Sequence, residues 1–133
     1  MAKLRHIAMQ VPDLEKAAAF YESVFELDRV AEAESPVGNA IMLSDGLMNL
    51  TLLNFPEGTK GGVNGPDWAG LHHFGMVVDD KDATTARIEK AGGTFFMELS
   101  GDYPGVEAET KFKDPNGIVF DIAEHEWTIK RKA

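Results

Sequence analysis

Two histidines, His6 and His73, occupy matching positions in two half-length copies of one sequence pattern. Each is followed after four residues by a valine, and then by an aspartate, Asp13 or Asp80, of the type that begins a helix. The two copies are 67 residues apart at each of these positions. Neutral imidazole is the commonest metal ligand among side chains. The repeat therefore indicates two halves of one site, each of which contributes an imidazole from its first strand.

A third candidate ligand lies near the end of the chain. In residues 118–123 the large apolar side chains alternate toward the helix side of a predicted strand, which leaves Asp121 on the face that carries His6 and His73. A buried carboxylate is costly unless a cation neutralises it. Two imidazoles and one carboxylate leave open coordination positions on a divalent ion such as Fe, Mn, Zn or Ni. Glu124 is a rival to Asp121, because a bulge would exchange the two faces of the strand.

Other polar residues are candidates for contact with a substrate. Strand alternation places Asn49 and Thr51 on the cavity face, where Asn49 is a weak fourth ligand or a hydrogen-bond partner of the substrate. His72 points to the face opposite His73, and packing or capping at the strand start is favoured for it. The candidate substrate-binding residues are Asn49, Gln10, Thr51 and His72, with Tyr103 in a loop that is either a cover or a hairpin connection. We expect Glu98, Glu107 and Glu109 on solvated strand faces.

The elements around these residues repeat in the order strand, helix and three strands. Module one covers about residues 1–55, a linker rich in glycine and proline covers 56–69, and module two covers about 70–125. The tail at 126–133 carries little information. The sequence predicts an α+β fold, and the length of 133 residues fits a single domain.

Composition excludes several classes of partner. The chain has no cysteine, so any metal must be held by nitrogen and oxygen ligands. A net charge of −9 opposes binding to nucleic acid or to anionic lipid. We expect no signal peptide and no membrane-spanning segment, because no charged start is followed by an apolar run and no apolar run reaches membrane-spanning length. We expect a cytoplasmic protein whose partner is a small-molecule substrate.

The motifs together resemble those of the vicinal oxygen chelate superfamily, also called the glyoxalase, bleomycin resistance and extradiol dioxygenase fold. The resemblance rests on HIAMQVPDL from residue 6, HFGMVV from residue 73 and DPNGIVFD from residue 114. It implies that the two βαβββ modules form a curved mixed sheet around a cavity. It also implies a homodimer, because a partner commonly completes the half-open sheets of this family.

The resemblance further implies a ligand set. The histidines of the two first strands fall on His6 and His73, and the closing carboxylate falls on Asp121, where Glu is usual. A fourth ligand of the glyoxalase I type falls on Asn49, and the loss of a carboxylate there counts against a lactoylglutathione lyase. The implied function is a metal-dependent lyase, isomerase or dioxygenase that acts on a small oxygen-rich substrate.

Two alternatives remain open at the level of sequence. The same cavity could bind a drug or a hydrophobic metabolite without metal, as bleomycin-resistance proteins do. The chain could also be an effector or subunit whose cavity is vestigial.

Overall fold

Eight strands and two helices make up the regular structure in the described residues, which are 1–102, 105–106 and 108–131 of this computed structural model. In chain order they are β1 (Lys3–Gln10), α1 (Leu14–Phe25), β2 (Asp28–Ser35), β3 (Gly38–Ser44), β4 (Asn49–Asn54), β5 (Gly70–Val77), α2 (Lys81–Lys90), β6 (Thr94–Leu99), β7 (Glu109–Lys113) and β8 (Val119–Ala123). The strands form one mixed sheet in the order β2-β3-β4-β1-β5-β8-β7-β6.

The sheet has an internal two-fold pattern that follows from the sequence repeat. The first strands of the two modules, β1 and β5, pair antiparallel at its centre. Each has the last strand of its own module as a parallel neighbour, β4 beside β1 and β8 beside β5. The sheet curls into a half-barrel with the helices outside, which confirms the predicted fold class.

The local signals at the helix starts act as expected. The side chain of Asp13 accepts a hydrogen bond from the Lys16 amide at 3.0 Å, and that of Asp80 accepts one from the Ala83 amide at 2.9 Å. Each aspartate thereby satisfies one of the free amides of the first helical turn. These caps fix where each helix leaves its strand, and hence which strand face the helix covers.

Apolar side chains of each module fill the space between its helix and the sheet. In module one the buried cluster consists of Ala18 from α1 and Ile41, Leu43 and Leu52 from the sheet. In module two it consists of Val78, Phe112 and Ile122, with Ile88 of α2 packed against them. Because side chains alternate along a strand, the neighbouring residues of these strands face the inside of the half-barrel. No helix among the described residues has both the length and the apolar character to cross a membrane.

We predict that Leu52→Ala lowers the free energy of unfolding by about 2 to 5 kcal/mol, because it leaves a cavity between α1 and the sheet. Leu52 has no exposed surface. Chemical denaturation followed by circular dichroism measures the change, and Val24→Ala is the control because Val24 is 53% exposed. A Leu52→Ala loss no larger than that of the control would contradict this packing.

Candidate metal centre

Three side chains from different strands converge inside the half-barrel. His6 Nε2 lies 3.2 Å from His73 Nε2, and Asp121 Oδ2 lies 3.7 Å from the first and 3.0 Å from the second. All three residues are buried. The structure thus brings together the residues that the sequence predicts as metal ligands.

Asn49 sets the orientation and tautomer of His6. Its side-chain NH2 donates to the backbone carbonyl of Thr128 at 2.7 Å, so its Oδ1 must face His6. His6 Nδ1 lies 2.8 Å from Oδ1 and therefore carries the proton, which leaves the lone pair on Nε2. Thr51 also donates to Oδ1, at 2.6 Å. Both polar atoms of the Asn49 side chain are thus hydrogen-bonded to protein groups. This does not support the predictions that Asn49 is a fourth metal ligand or a substrate contact.

His72 sets the orientation and tautomer of His73. Strand alternation had predicted that these two side chains lie on opposite faces. Ala8 pairs with His73 but Met9 pairs with Leu71, so His72 is the extra residue of a bulge in β5. The prediction that His72 faces away from His73 is therefore wrong, and its ring lines the cavity.

A chain of hydrogen bonds through His72 fixes the tautomer of His73. His72 Nε2 lies 2.7 Å from the Gly61 carbonyl and must donate to it, so Nδ1 of neutral His72 is an acceptor. His73 Nδ1 lies 2.7 Å from that atom and must donate. The lone pair of His73 is consequently on Nε2.

The three converging atoms are therefore all electron-pair donors. No proton lies between His6 Nε2 and His73 Nε2, and no described group donates a hydrogen bond to the buried Asp121 Oδ2. Burial lowers the pKa of His6, although Glu109 and Asp121 oppose that shift. Burial lowers the pKa of His73 well below its usual value, and the charge of Lys111 adds to the effect. Both imidazoles are thus neutral at pH 7, and the nearby Lys111 ammonium, 3.3 Å from His73 Nε2, does not contact Asp121 Oδ2.

A buried ion pair beside these atoms was missed by sequence reasoning. Lys111 Nζ donates to Asp121 Oδ1 at 2.7 Å and to Glu109 Oε1 at 2.9 Å. Burial opposes the charge of Lys111, but Glu109 and Asp121 outweigh it and raise the pKa of the ammonium. The expectation that Glu109 is solvated is wrong, since its side chain is only 8% exposed. The available signal was alternation, which puts residues 109 and 111 opposite the core residue Phe112.

Trp127 covers one side of the site. It belongs to the tail at 126–133, which the sequence analysis expected to carry little information. Its ring stacks on His6 with 4.7 Å between centroids and an angle of 2° between planes. Its Nε1 donates to Glu109 Oε2 at 2.9 Å. Gly75 makes room for it, because a Cβ there would lie 2.8 Å from the indole ring. The side chain of Trp127 thus fixes both His6 and Glu109.

The remaining candidates lie elsewhere or serve other contacts. Glu124 is exposed and accepts from the Lys81 amide at the start of α2, so it is not a rival to Asp121. Gln10 is buried away from the cavity lining and donates to the Gly65 carbonyl at 2.8 Å. Thr51 lines the cavity. The predictions for Tyr103 and Glu107 fall outside the described residues.

The cavity in front of the three atoms has largely apolar walls. Polar groups are concentrated at one end, where His6, His72, His73, Glu109 and Lys111 meet. Its apolar lining includes Val37, Met42, Leu53, Phe55, Phe96, Met97 and Leu99. The arrangement suits a compact molecule that carries oxygens at one end.

Comparison with known sequences identifies the family. The sequence profile of the glyoxalase/bleomycin resistance protein/dioxygenase superfamily matches residues 3–122. The chain belongs to this superfamily. This match covers both modules and all three converging residues.

Several relatives in the superfamily are similar along much of this chain. Mycobacterium tuberculosis CFP32 is 32% identical over 114 residues, which are 84% of this chain and 39% of that protein. Human mitochondrial methylmalonyl-CoA epimerase is 33% identical over 98 residues, which are 68% and 54% of the two chains. This chain thus spans about two fifths to one half of those proteins. The ethylmalonyl-CoA/methylmalonyl-CoA epimerase of Cereibacter sphaeroides is 28% identical over 133 residues, which are 92% and 97% of the two chains.

Solved structures share the fold of this superfamily member. A variant of Streptomyces coelicolor methylmalonyl-CoA epimerase in complex with 2-nitronate-propionyl-CoA has a TM-score of 0.75 at 21% identity and covers 98% of each chain. A hypothetical protein from Bacillus halodurans has a TM-score of 0.75 at 17% identity, with 99% of this chain and 97% of that chain covered.

The tautomers deduced above are directly measurable. In metal-free protein labelled with 15N in its imidazoles, we expect long-range 1H–15N NMR spectra at pH 8 to show protonated Nδ1 on His6 and His73 and protonated Nε2 on His72. The Asn49→Leu variant removes the acceptor of His6, so His6 alone should lose its fixed tautomer. A protonated Nε2 on His6 or His73 in the unaltered protein would contradict the deduced arrangement.

The buried histidines also predict a pH dependence of stability. The pKa values of His6, His72 and His73 are lowered by burial, so each imidazole takes up a proton more readily in the unfolded chain. The contribution of the neutral histidines to folding stability is complete above the unfolded-state pKa of about 6.5. It is lost as the pH falls through and below that value. We expect urea denaturation with chelator to show lower stability at pH 5.5 than at pH 7.5, and a smaller difference for His73→Gln. Equal or higher stability at pH 5.5 would count against buried neutral histidines.

Proposed function

We propose that this chain is a divalent-metal-dependent isomerase that moves a proton next to a carbonyl group of a small, oxygen-rich acyl substrate. The observation that carries the proposal is the convergence of His6 Nε2, His73 Nε2 and Asp121 Oδ2, three buried lone-pair donors with no proton between the two imidazoles and no donor to Asp121 Oδ2 among the described groups. A divalent metal ion can pair with all three atoms at once.

The donor set fits a divalent ion that keeps open positions. Two neutral imidazoles and one carboxylate are a ligand set typical of non-haem iron and of related ions with exchangeable sites. The bound ion would supply Lewis acidity toward substrate oxygens. Asn49 and His72 would hold the two imidazoles in the required tautomer, as outer hydrogen-bond partners of metal-binding histidines commonly do.

The cavity walls suit proton transfer at carbon. Their apolar side chains exclude water, which strengthens electrostatic interactions at the polar end. Glu109 is the one carboxylate among the described lining residues that lies outside the proposed ligand set. Lys111 and Trp127 hold it with one hydrogen bond to each oxygen, and we infer that it is the group that exchanges a proton with a substrate carbon.

The relatives favour an isomerase over a lyase or a dioxygenase. Two of the three sequence relatives described above are named as epimerases of branched malonyl-CoA thioesters. An acyl thioester is therefore our first choice of substrate, with its acyl group in the apolar cavity. A metal-free drug-binding protein is less well supported, because His6 Nε2 and Asp121 Oδ2 would then have no partner among the described residues. The homodimer and the cytoplasmic location stay predictions from the sequence.

The proposal predicts metal-dependent hydrogen exchange. We expect tag-free protein reconstituted with Co²⁺, Mn²⁺, Zn²⁺ or Ni²⁺ to hold about one equivalent of metal and to exchange the α-hydrogen of methylmalonyl-CoA in D2O, as followed by 1H NMR. His73→Ala should lose both properties, whereas His125→Ala, which alters an exposed histidine, should keep both. Stoichiometric metal without exchange on this and other acyl thioesters would overturn the isomerase, and the absence of bound metal would overturn the metal centre.

A further inference from the structure

The ammonium group of Lys111 is a cation that the protein itself places beside the proposed metal ligands. Its Nζ lies 2.7 Å from Asp121 Oδ1, 2.9 Å from Glu109 Oε1 and 3.3 Å from His73 Nε2. Its side chain is 7% exposed, and those of Glu109 and Asp121 are 8% and 0% exposed. The ammonium is thus sequestered from bulk water and surrounded by acceptors.

One of these contacts is incompatible with a metal ion. The tautomer of His73 leaves a single lone pair on Nε2, and Lys111 Nζ now faces that atom. A metal ligated by His73 needs the same lone pair. Asp121 presents no such conflict, because Oδ1 accepts from Lys111 while Oδ2 faces the two histidines.

Glu109 provides a place for the ammonium after it leaves His73. Its Oε1 already accepts from Lys111, and its Oε2 is held by the Trp127 indole at 2.9 Å. Lys111 can therefore turn away from His73 without losing a charged partner. This movement is a change of hydrogen-bond partner within the cavity wall.

We propose that Lys111 is a resident counter-ion that competes with a divalent metal for His73 and Asp121 and thereby limits the metal affinity of the site. The inference rests on the proposed metal centre. Positive charges a few ångströms apart repel strongly where water is excluded. The ammonium also neutralises Asp121 in the metal-free protein, so the site can stay folded with its ligands in place before metal binds.

The competition between Lys111 and a metal ion can be tested with variants that change the charge of Lys111 or of Glu109. Zn²⁺ is titrated into tag-free, chelator-treated protein by isothermal titration calorimetry. We expect Lys111→Met to bind Zn²⁺ at least tenfold more tightly than the unaltered protein, because a competing cation is removed. Glu109→Gln should bind at least threefold more weakly, because the ammonium loses its alternative partner. Lys111→Arg keeps the charge and should gain less than threefold.

The double variant Lys111→Met/Glu109→Gln guards against a folding artefact. It removes both members of a buried pair, which is tolerated better than removal of one. It should bind Zn²⁺ more tightly than Glu109→Gln, because the competing cation is absent. Near-ultraviolet circular dichroism verifies that each variant is folded. If Lys111→Met is folded and binds no more tightly, or if it is unfolded and the double variant binds no more tightly than Glu109→Gln, the proposal is wrong.

The same titrations separate this inference from the proposed function. If the unaltered protein binds no Zn²⁺ but Lys111→Met does, the competing role of Lys111 is supported and the metal-dependent function fails. If both bind equally, only the role of Lys111 fails. If neither binds, both fail.

Discussion

The structure around the cavity depends on one electrostatic constraint, which is that three buried electron-pair donors face one another. Two neutral imidazoles present Nε2 lone pairs 3.2 Å apart, and a carboxylate oxygen without a hydrogen-bond donor lies beside them. His73 Nε2 has the Lys111 ammonium nearby, but among the described groups His6 Nε2 and Asp121 Oδ2 have no donor, and buried polar atoms are rarely left in this state. A divalent cation at their common centre would pair with all three atoms at once.

The fold is arranged to create this constraint and to maintain it. The antiparallel pairing of β1 and β5 puts the two histidines on one face, and the parallel neighbours β4 and β8 bring Asn49 and Asp121 alongside. Asn49 and the bulged His72 then remove the tautomeric freedom of the rings. Trp127 covers His6 and Gly75 makes room for its indole. The ligand atoms are thus oriented by groups that are not themselves among the proposed metal ligands.

Some of this was predictable from the sequence and some was not. The repeat and the strand alternation predicted the modules, the caps and the shared face of His6, His73 and Asp121, because each is a property of local pattern. His72 was misplaced, since a single extra residue in β5 reverses the alternation and carries no sequence signature. Lys111 and Glu109 were missed because charged residues on a strand usually face water. Here the curl of the sheet turns that face inward, and alternation relative to Phe112 was the sequence signal that indicated which face these residues share. Trp127 was missed because the tail beyond β8 has no periodic pattern.

The position of a bound metal ion tests most directly whether His6, His73 and Asp121 bind one ion together. Crystals grown from tag-free protein with Zn²⁺ would be measured at the zinc absorption edge, and the anomalous map would be calculated. If these three residues are the ligands, we expect one strong peak at roughly 2.0 to 2.2 Å from His6 Nε2, His73 Nε2 and Asp121 Oδ2. Absence of a peak among these atoms, or a peak that is bound only by residues elsewhere on the protein, would contradict it.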